Sequence, residues 1–569
     1  MHIGNLILIS PAIYLTVAAV VVLLIGVIAA ANPKGKLEHY LAAHYLAPAL
    51  MVPALVLAGG VIYLSLTYAG IAQSVAIGNE VLRVPAIGLF VTSGGFAQLT
   101  VDGFAGILAF VAVAGTLIVM LLSIDHFGEN QIHKAEYYAL LMLATAAATL
   151  AAAASDLIAI YLSIEFLSLV SYVLAAYAKT DRRSGEAGLK YFLYGAACSA
   201  IMLYGMSILF GVTGGNTSLA AIAKHFNMAS PEMGFGAAAT GAGWVGVMFV
   251  LVGLGFKLAL VPFQFWAPDV YEGAPTPITA FLSVVSKAAG LAVLVRFVMV
   301  VANPASSPAS LSWYWTLVVM CALSMLWGNL VAISQRNIKR MLAYSSIAQV
   351  GYMMVGVLAE MHVFTRANTQ GALVRANVFG MDGLPWGLQG VLIFIVAYLL
   401  MNLGTFAVVV AVGKRLGSDA IESYAGLMKR SPFYAVALTV FFASLAGIPP
   451  TAGFLGKFFV FGSAIKIGVM GHPELIALAA LGVVNSVISV YYYFNVVRLM
   501  FFAPPSPSPL PEGEGKGEGQ AIRGTVAVNT AVVVTLVLTL ALLVFAKPLS
   551  EIASSAVYTA QPVMIERSR

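Results

Sequence analysis

Long apolar runs separated by short polar breaks constrain the fold of this sequence more than any other feature. Hydrophobic residues make up 61% of the 569 residues and charged residues only 9%, so the chain carries more apolar surface than one globular core could bury. A membrane-spanning helix needs about 20 apolar residues, whereas outer-membrane barrels show alternating segments of about ten. The uninterrupted runs therefore predict an all-α polytopic membrane protein with about 14 transmembrane helices.

We number the predicted spans in chain order. The first, Leu6 to Ala31, lacks the basic start of a signal peptide and exceeds the usual length of its apolar core, so we expect a helix that stays in the chain. The last has no internal charge and is expected to be a lipid-facing anchor. The spans lie near residues 6–30, 47–69, 103–124, 135–153, 157–178, 190–212, 243–266, 276–301, 313–333, 341–360, 388–413, 433–465, 475–501 and 526–546.

Basic residues lie in short loops between the apolar runs, so membrane topology explains the net charge of +6 better than nucleic-acid binding does. Loops after odd-numbered spans hold about sixteen Lys or Arg residues, against about five in the other loops. Because cytoplasmic loops carry the excess of positive charge, both termini are expected on the non-cytoplasmic side. We expect a multi-pass protein of a bacterial inner (plasma) membrane.

Cysteine and histidine positions argue against a redox centre in this chain. Cys198 and Cys321 lie far apart in apolar runs, which excludes a disulfide framework, an iron–sulfur spacing and a zinc motif. All eight histidines fall in or beside loops or at span ends, so we predict no cofactor, haem or metal site at mid-membrane. They are His2, His39, His44, His126, His133, His225, His362 and His472.

Two spans contain helix-breaking residues beside a lysine. Span 7 includes GLGFKLALVPFQFWAPD around Lys257, and span 12 includes SLAGIPPTAGFLGKFF around Lys457. The two breaks lie five spans apart, which predicts two inverted five-helix repeats, helices 4–8 and 9–13, each containing a broken helix. Interrupted helices at matching positions of inverted repeats indicate an ion pathway, although Pro and Gly are also common in membrane helices generally.

This pattern predicts five regions. They are residues 1–130 with the first three helices, 131–301 with the first repeat, 313–503 with the second repeat, 504–525 as a disordered linker, and 526–569 with helix 14 and a tail. The linker sequence PPSPSPLPEGEGKGEGQAIRG is too polar and too rich in Pro and Gly to pack.

Five ionisable residues stand out in the apolar runs, where a charge costs about 2.5–3.5 kcal/mol on insertion scales. Glu165 is in span 5, Lys190 opens span 6, and Lys257, Lys287 and Lys457 lie in spans 7, 8 and 12. Loss of hydration disfavours a lysine ammonium while a nearby carboxylate favours it, so such a pair can pick up and release a proton. The alternatives are snorkelling for the lysines, above all for Lys190, and a fixed ion pair for Glu165.

Other acidic residues are weaker candidates. Asp102 and Asp125 flank span 3 and are expected at the membrane interface. Asp269 and Glu272 follow span 7 on the expected cytoplasmic side, where they could collect protons. A structural role, such as capping the next helix, is the interpretation we favour for both.

The stretch FKLALVPFQFWAPDVYEGAPTPITAFLSVVSKAAG, residues 256–290, resembles the signature of the superfamily of complex I and multisubunit cation/proton antiporters. Its PDVYEGAP and VSK elements are similar to the subunit N family rather than to subunits L and M. NIKRMLAYSSIAQVGYMM and GIPPTAGFLGKFFVF are also typical of the superfamily. The resemblance covers about residues 100–500.

The resemblance implies a proton-translocating subunit in the membrane arm of NADH:quinone oxidoreductase, beside the antiporter-like subunit M and the small subunit K. NADH, FMN, iron–sulfur clusters and quinone would be bound by partner subunits. In this family the glutamate of helix 5 pairs with the lysine of helix 7, and further lysines continue a hydrophilic axis. By motif, the relay residues are Glu165, Lys190, Lys257, Lys287 and Lys457.

One departure concerns Gln264, because relatives often have a histidine there. Glutamine can hold a water molecule but carries no proton at neutral pH, so the link between Lys257 and Lys287 would depend more on water. Two alternative functions remain open at this point. They are a component of a multisubunit sodium/proton antiporter and a structural scaffold whose proton path has decayed.

Overall fold

The computed structural model describes residues 9–31, 36–74, 87–91, 97–127, 134–228, 237–301, 310–370, 386–504, 522 and 524–560. Within these ranges, fourteen helices are long and apolar enough to cross a membrane. The predicted class is therefore confirmed, and the chain is a multi-pass integral membrane protein. The predicted linker lies almost entirely outside the described residues, and the division into two repeats stays a prediction.

Within the described residues, the first half of the chain contains one β-hairpin among its helices. Strands β1 (Ile87–Val91) and β2 (Ala97–Val101) pair antiparallel, with Gly88 opposite Thr100. The sequence analysis predicted helices alone and missed this hairpin. The helices are α1 (Ser10–Ala31), α2 (Lys36–Ser74), α3 (Gly103–Phe127), α4 (Lys134–Ala153), α5 (Leu157–Ala175), α6 (Arg182–Val212), α7 (Leu219–Met228), α8 (Ala237–Leu258) and α9 (Trp266–Gly273).

The second half begins with a span that changes its helical type. Helix α10 (Thr276–Phe281) continues through a π-helical turn (Leu282–Ser286) into α11 (Lys287–Val301). The remaining helices are α12 (Ser310–Ala332), α13 (Ile338–Gln370), α14 (Trp386–Leu416), α15 (Leu427–Arg430), α16 (Pro432–Ala446), α17 (Ala452–Val469), α18 (Pro473–Phe502), α19 (Val526–Val544) and α20 (Ala546–Ala560).

Both helix interruptions lie where the Gly and Pro residues predicted them. The first separates α8 from α9, and the backbone N–H of Val261 within it donates to the hydroxyl of Ser324 at 2.9 Å. The second divides predicted span 12 into α16 and α17, with Gly447 in the left-handed conformation (φ 84°) after α16. The N–H of Gly453 donates to the hydroxyl of Ser444 at 3.0 Å. Side-chain hydroxyls thus satisfy backbone groups that an unbroken helix would have paired internally.

Burial distinguishes central from peripheral helices. In the spans of α10–α11, α13 and α14, about nine residues in ten are buried inside the protein. In α19 only about a quarter of the residues are buried. One side of α19, which includes Val528 and Val532, packs on the bundle, and the opposite side exposes Val537 and Val544. This arrangement is the one expected for the lipid-facing anchor predicted at this span.

Three charged residues lie at or near the ends of predicted spans. Helix α6 begins at Arg182 after an Asp181 cap, so Lys190 lies two turns inside the helix instead of opening it. Asp102, directly before α3, is buried inside the protein and its carboxylate pairs with Arg296 at 2.8 Å, while its interfacial position stays a prediction. Asp125 is buried as well and contacts the ammonium of Lys414 at 3.1 Å.

Candidate functional site

Glu165 and Lys257 line one small cavity between α5, α6 and α8. The cavity volume that the centre of a water molecule can reach is about 10 Å³, which is close to the volume needed to hold one water molecule. Ser199 donates a hydrogen bond to Glu165 Oε2 at 2.6 Å, and Lys257 Nζ donates to Ser168 Oγ at 3.0 Å. The two charged groups therefore face a shared cavity through hydroxyl groups and do not form the direct ion pair that the resemblance implied.

A glycine lets Lys257 approach the helix that carries the next lysine. A Cβ atom added to Gly290 would lie 3.1 Å from Cγ of Lys257, closer than ordinary van der Waals contact. Gly290 is three residues after Lys287 in α11, so the side chain of Lys257 passes within one helical turn of Lys287.

Lys287 directly follows the π-helical turn and is buried. Its Nζ donates to Ser346 Oγ on α13 at 2.8 Å, and that oxygen lies 3.5 Å from the hydroxyl of Tyr271. Single π-helical turns inside helices are frequent at functional sites because they redirect side chains. Here the turn precedes the lysine that faces α13.

Lys457 has carbonyl partners. Its Nζ donates at 3.0 Å to the carbonyl oxygens of Leu445 and Ala446, the last two residues of α16. The same ammonium lies 4.5 Å from the ring centroid of Tyr352, a cation–π distance. The amide of Gln349 also donates to the carbonyl of Leu445, at 3.0 Å. The broken helix thus presents its free carbonyl end to a buried cation, as expected from the helix dipole.

One side of α13 connects the partners of Lys287 with those of Lys457. Ser346, Gln349 and Tyr352 follow one another at helical spacing and are all buried. The same side continues to Glu360, which is buried and accepts a hydrogen bond from the N–H of Leu388 at 3.0 Å. From Ser346 to Glu360 the helix rises about 21 Å, a large part of the bilayer core. Polar groups therefore follow α13 across the bundle.

Glu360 was not among the relay residues predicted from the sequence. It lies at the end of predicted span 10, where a carboxylate is expected at the membrane interface. The helical spacing of Ser346, Gln349 and Glu360 was the signal that could have identified it, because polar residues repeating along one side of an apolar helix indicate a buried polar contact.

Lys190 lies apart from the central lysines, with its side chain 38% exposed. It contacts Glu186 at 2.8 Å and Asp269 at 2.7 Å, while Arg340 contacts Asp269 at 2.6 Å and Glu272 at 3.1 Å. Partial burial opposes ionisation, but Lys190 and Arg340 outweigh it and hold the pKa of Asp269 below its ordinary value. This network joins α6, α9 and α13, which favours the structural role for Asp269 and Glu272. A relay role for Lys190 stays a prediction.

Gln264 is buried in the interruption between α8 and α9. Its amide oxygen accepts no hydrogen bond from any residue that the structure describes. An amide oxygen in this position suits a water molecule, as the sequence analysis expected, but the effect on transfer stays a prediction.

The three central lysines share an unusual electrostatic setting. Lys257, Lys287 and Lys457 are 1%, 2% and 4% exposed, and the described residues place no carboxylate in contact with any of their ammonium groups. Burial penalises the charged form of each amine, and hydroxyl or carbonyl acceptors offset part of that cost. Each lysine is thus a buried ionisable group with hydrogen-bond acceptors, which is the kind of group that a proton relay uses.

Comparison with known proteins gives the family. The profile described as NADH:quinone oxidoreductase/Mrp antiporter, TM matches residues 154–384 and 376–489. NADH-quinone oxidoreductase subunit N of Desulfitobacterium hafniense is 42% identical over 401 residues, covering 70% of this chain and 76% of the relative. The chain belongs to the NADH:quinone oxidoreductase subunit N family. Subunit N of Chlorobium chlorochromatii is 41% identical over 416 residues, covering 72% and 74% of the two chains.

Solved structures support the fold across almost the whole chain. A chain in respiratory complex I from Thermus thermophilus with bound aureothin superimposes with a TM-score of 0.66 at 27% identity, covering 96% of this chain and 100% of that one. A chain of the Mrp complex from Dietzia sp. gives a TM-score of 0.76 at 20% identity, covering 99% and 98%. At that identity the likeness to the Mrp chain shows the fold alone. This chain thus has the same fold as a chain of the Mrp complex.

Proposed function

We propose that this chain is the proton-translocating, antiporter-like subunit N of NADH:quinone oxidoreductase. The observation that carries the proposal is the polar path described above. Glu165 and Lys257 face one cavity, the side chain of Lys257 passes beside Gly290 on the helix of Lys287, and one side of α13 connects Lys287 with Lys457. The relatives named as subunits of quinone oxidoreductases favour this function over a stand-alone sodium/proton antiporter.

Proton movement along this path uses groups that exchange donor and acceptor roles. Ser168 donates to a carbonyl of its own helix while accepting from Lys257, and Ser346 does the same for Lys287. To pass a proton, each hydroxyl turns away from that carbonyl and donates its hydrogen to a water molecule or a neighbouring polar group as it takes one from the lysine. Glu165 supplies the carboxylate at one end of the path, and we assign Glu360 as the carboxylate at the other end.

The proposal places the chain in the membrane arm of the complex, in a bacterial inner membrane. Its neighbours there are subunits M and K, and NADH, FMN, iron–sulfur clusters and quinone belong to partner subunits. Energy from quinone reduction in those subunits drives the protonation changes in this one. The excess of basic residues in loops after odd-numbered spans supports placing both termini on the non-cytoplasmic side.

Removing single relay lysines tests the function. In Lys287→Ala and Lys457→Ala the complex should assemble, because loss of a buried charge relieves desolvation, but proton flux should fall at least about tenfold because the path is cut. The measurement is NADH-driven proton uptake by proteoliposomes containing the purified complex. NADH oxidation with an artificial electron acceptor shows whether the partner subunits that bind NADH remain intact.

Lys466→Ala serves as the matched control. Lys466 lies on α17 with Lys457 but is only partly buried, so its replacement should leave proton uptake near the wild-type rate. Wild-type proton uptake by both Lys287→Ala and Lys457→Ala would contradict the proposed function.

A further inference from the structure

Three metal-ligating side chains converge where α13 approaches the start of α18. His362 Nε2 lies 3.8 Å and His472 Nδ1 lies 3.3 Å from the same atom, Oε1 of Glu474. The two imidazole rings lie 3.6 Å apart between centroids. One ligand atom from each residue falls within 4.8 Å of the other two. None of these residues belongs to the polar path along α13.

The donor set fits a divalent transition-metal ion. Zinc binds imidazole nitrogen at about 2.0–2.1 Å and carboxylate oxygen at about 2.0–2.2 Å, so neighbouring ligands of a tetrahedral ion lie roughly 3.4 Å apart. The contacts of 3.3 Å and 3.8 Å are close to that spacing. An ordinary hydrogen bond between histidine and glutamate would involve only one imidazole ring. Here two imidazole nitrogens are close to one carboxylate oxygen, which is the arrangement of a three-ligand site.

A second feature orients the carboxylate. The hydroxyl of Tyr314 on α12 donates to Glu474 Oε1 at 3.1 Å, and the Tyr314 ring packs edge-on against His362 at 4.8 Å. Tyr314 is 1% exposed, so this contact is held by the bundle. Groups that hydrogen-bond to metal ligands fix their orientation and contribute to metal affinity.

We propose that His362, His472 and Glu474 form a binding site for a zinc-type divalent cation that connects the end of α13 to the start of α18. Tyr314 is the positioning residue that holds Glu474. The ion keeps a fourth position for water, as in three-ligand zinc sites. This assignment departs from the sequence prediction of no metal site, because 110 positions separate His362 from His472 along the chain.

Zinc binding to the whole purified complex tests the site. The complex is equilibrated with radioactive Zn²⁺, and bound zinc is compared between the wild type, His472→Gln, Glu474→Gln and Tyr314→Phe. Each ligand variant should lose one tight equivalent of zinc per complex, and Tyr314→Phe should weaken that equivalent by about tenfold. His225→Gln is the control, since His225 lies on α7 outside the cluster and should bind zinc like the wild type.

X-ray absorption spectroscopy at the zinc edge, which reports the ligands of the bound ion, provides the second readout. The wild type should show a site with two imidazole ligands that is missing from His472→Gln. Equal zinc binding by the wild type, Glu474→Gln and Tyr314→Phe would overturn the proposal even if His472→Gln failed to assemble. The readout is bound zinc, so its outcome does not depend on proton transport.

Discussion

The two interrupted helices place their lysines on opposite sides of the break. Lys257 lies near the end of α8, before the first interruption, and donates to the hydroxyl of Ser168. Lys457 lies in α17, after the second interruption, and donates to the carbonyls of Leu445 and Ala446. The same sequence pattern, a lysine beside Gly and Pro, thus gives one lysine a hydroxyl acceptor and the other two carbonyl acceptors.

The difference indicates that the two lysines have different roles in proton transfer. A hydroxyl both donates and accepts, so the partner of Lys257 can take part in transfer, and Glu165 lies across the same cavity. A backbone carbonyl only accepts, and the carbonyl end of a half-helix carries partial negative charge that stabilises a cation. We therefore expect the hydroxyl at the first interruption to take part in proton transfer itself, and the carbonyls at the second to stabilise positive charge on Lys457 while it serves in the relay.

Among the variants that compare the two interruptions, Gly447→Ala should have the largest effect. Gly447 has φ 84°, and an added Cβ would lie 2.9 Å from Cδ of Lys457, so the lysine side chain must shift and we expect it to lose its two carbonyl acceptors. Each lost hydrogen bond of a charged group is worth about 1.5 kcal/mol, which together corresponds to about a hundredfold loss in proton flux. Proton uptake by reconstituted complex is the measurement.

Gly417→Ala separates this clash from backbone strain. Gly417 also has positive φ, 62°, but an added Cβ there meets no atom within 4 Å. Both substitutions place alanine in the left-handed region, at a cost of about 1–2 kcal/mol each, whereas Gly417→Ala should keep its proton flux. Equal loss of flux in both variants would show that the carbonyl site of Lys457 is not involved.

A smaller effect is expected for Ser168→Ala. Lys257 loses the hydroxyl partner that the described residues give it, a change of about 1.5 kcal/mol or about tenfold in flux. Ser168→Thr should restore most of the flux because the hydroxyl returns. Ser163→Ala is the control, since the Ser163 hydroxyl bonds only to carbonyls of its own helix in the described structure. A Ser168→Ala complex that pumps at the wild-type rate would remove the distinction between the two interruptions.

Much of the architecture could be predicted from the sequence, because lipid imposes strong local rules. Apolar runs identify the spans, and Gly447, Pro449 and Pro450 mark a break that no unbroken helix could accommodate. Lysines inside apolar runs are conspicuous for the same reason. Lys257, Lys287 and Lys457 were therefore found without knowledge of their partners.

Partners could not be predicted, since they depend on contacts far apart in the chain. Asp102 and Arg296 are separated by 194 positions and pair only because α3 and α11 lie near each other in the bundle. The serines that accept from Lys257 and Lys287 look like ordinary helix residues in the sequence. Glu360 was missed because its position at a span end resembles that of an interfacial charge.

The coupling between Glu165 and Lys257 tests the central claim most directly. Proton flux is measured on purified, reconstituted complex for the wild type, Glu165→Gln, Lys257→Met and the double variant, and each loss is converted into a free energy. If the two residues serve one transfer step through their shared cavity, each single variant loses flux and the double variant loses hardly more than either. Losses that add in full in the double variant would contradict the account, because they would mean that the two groups work independently.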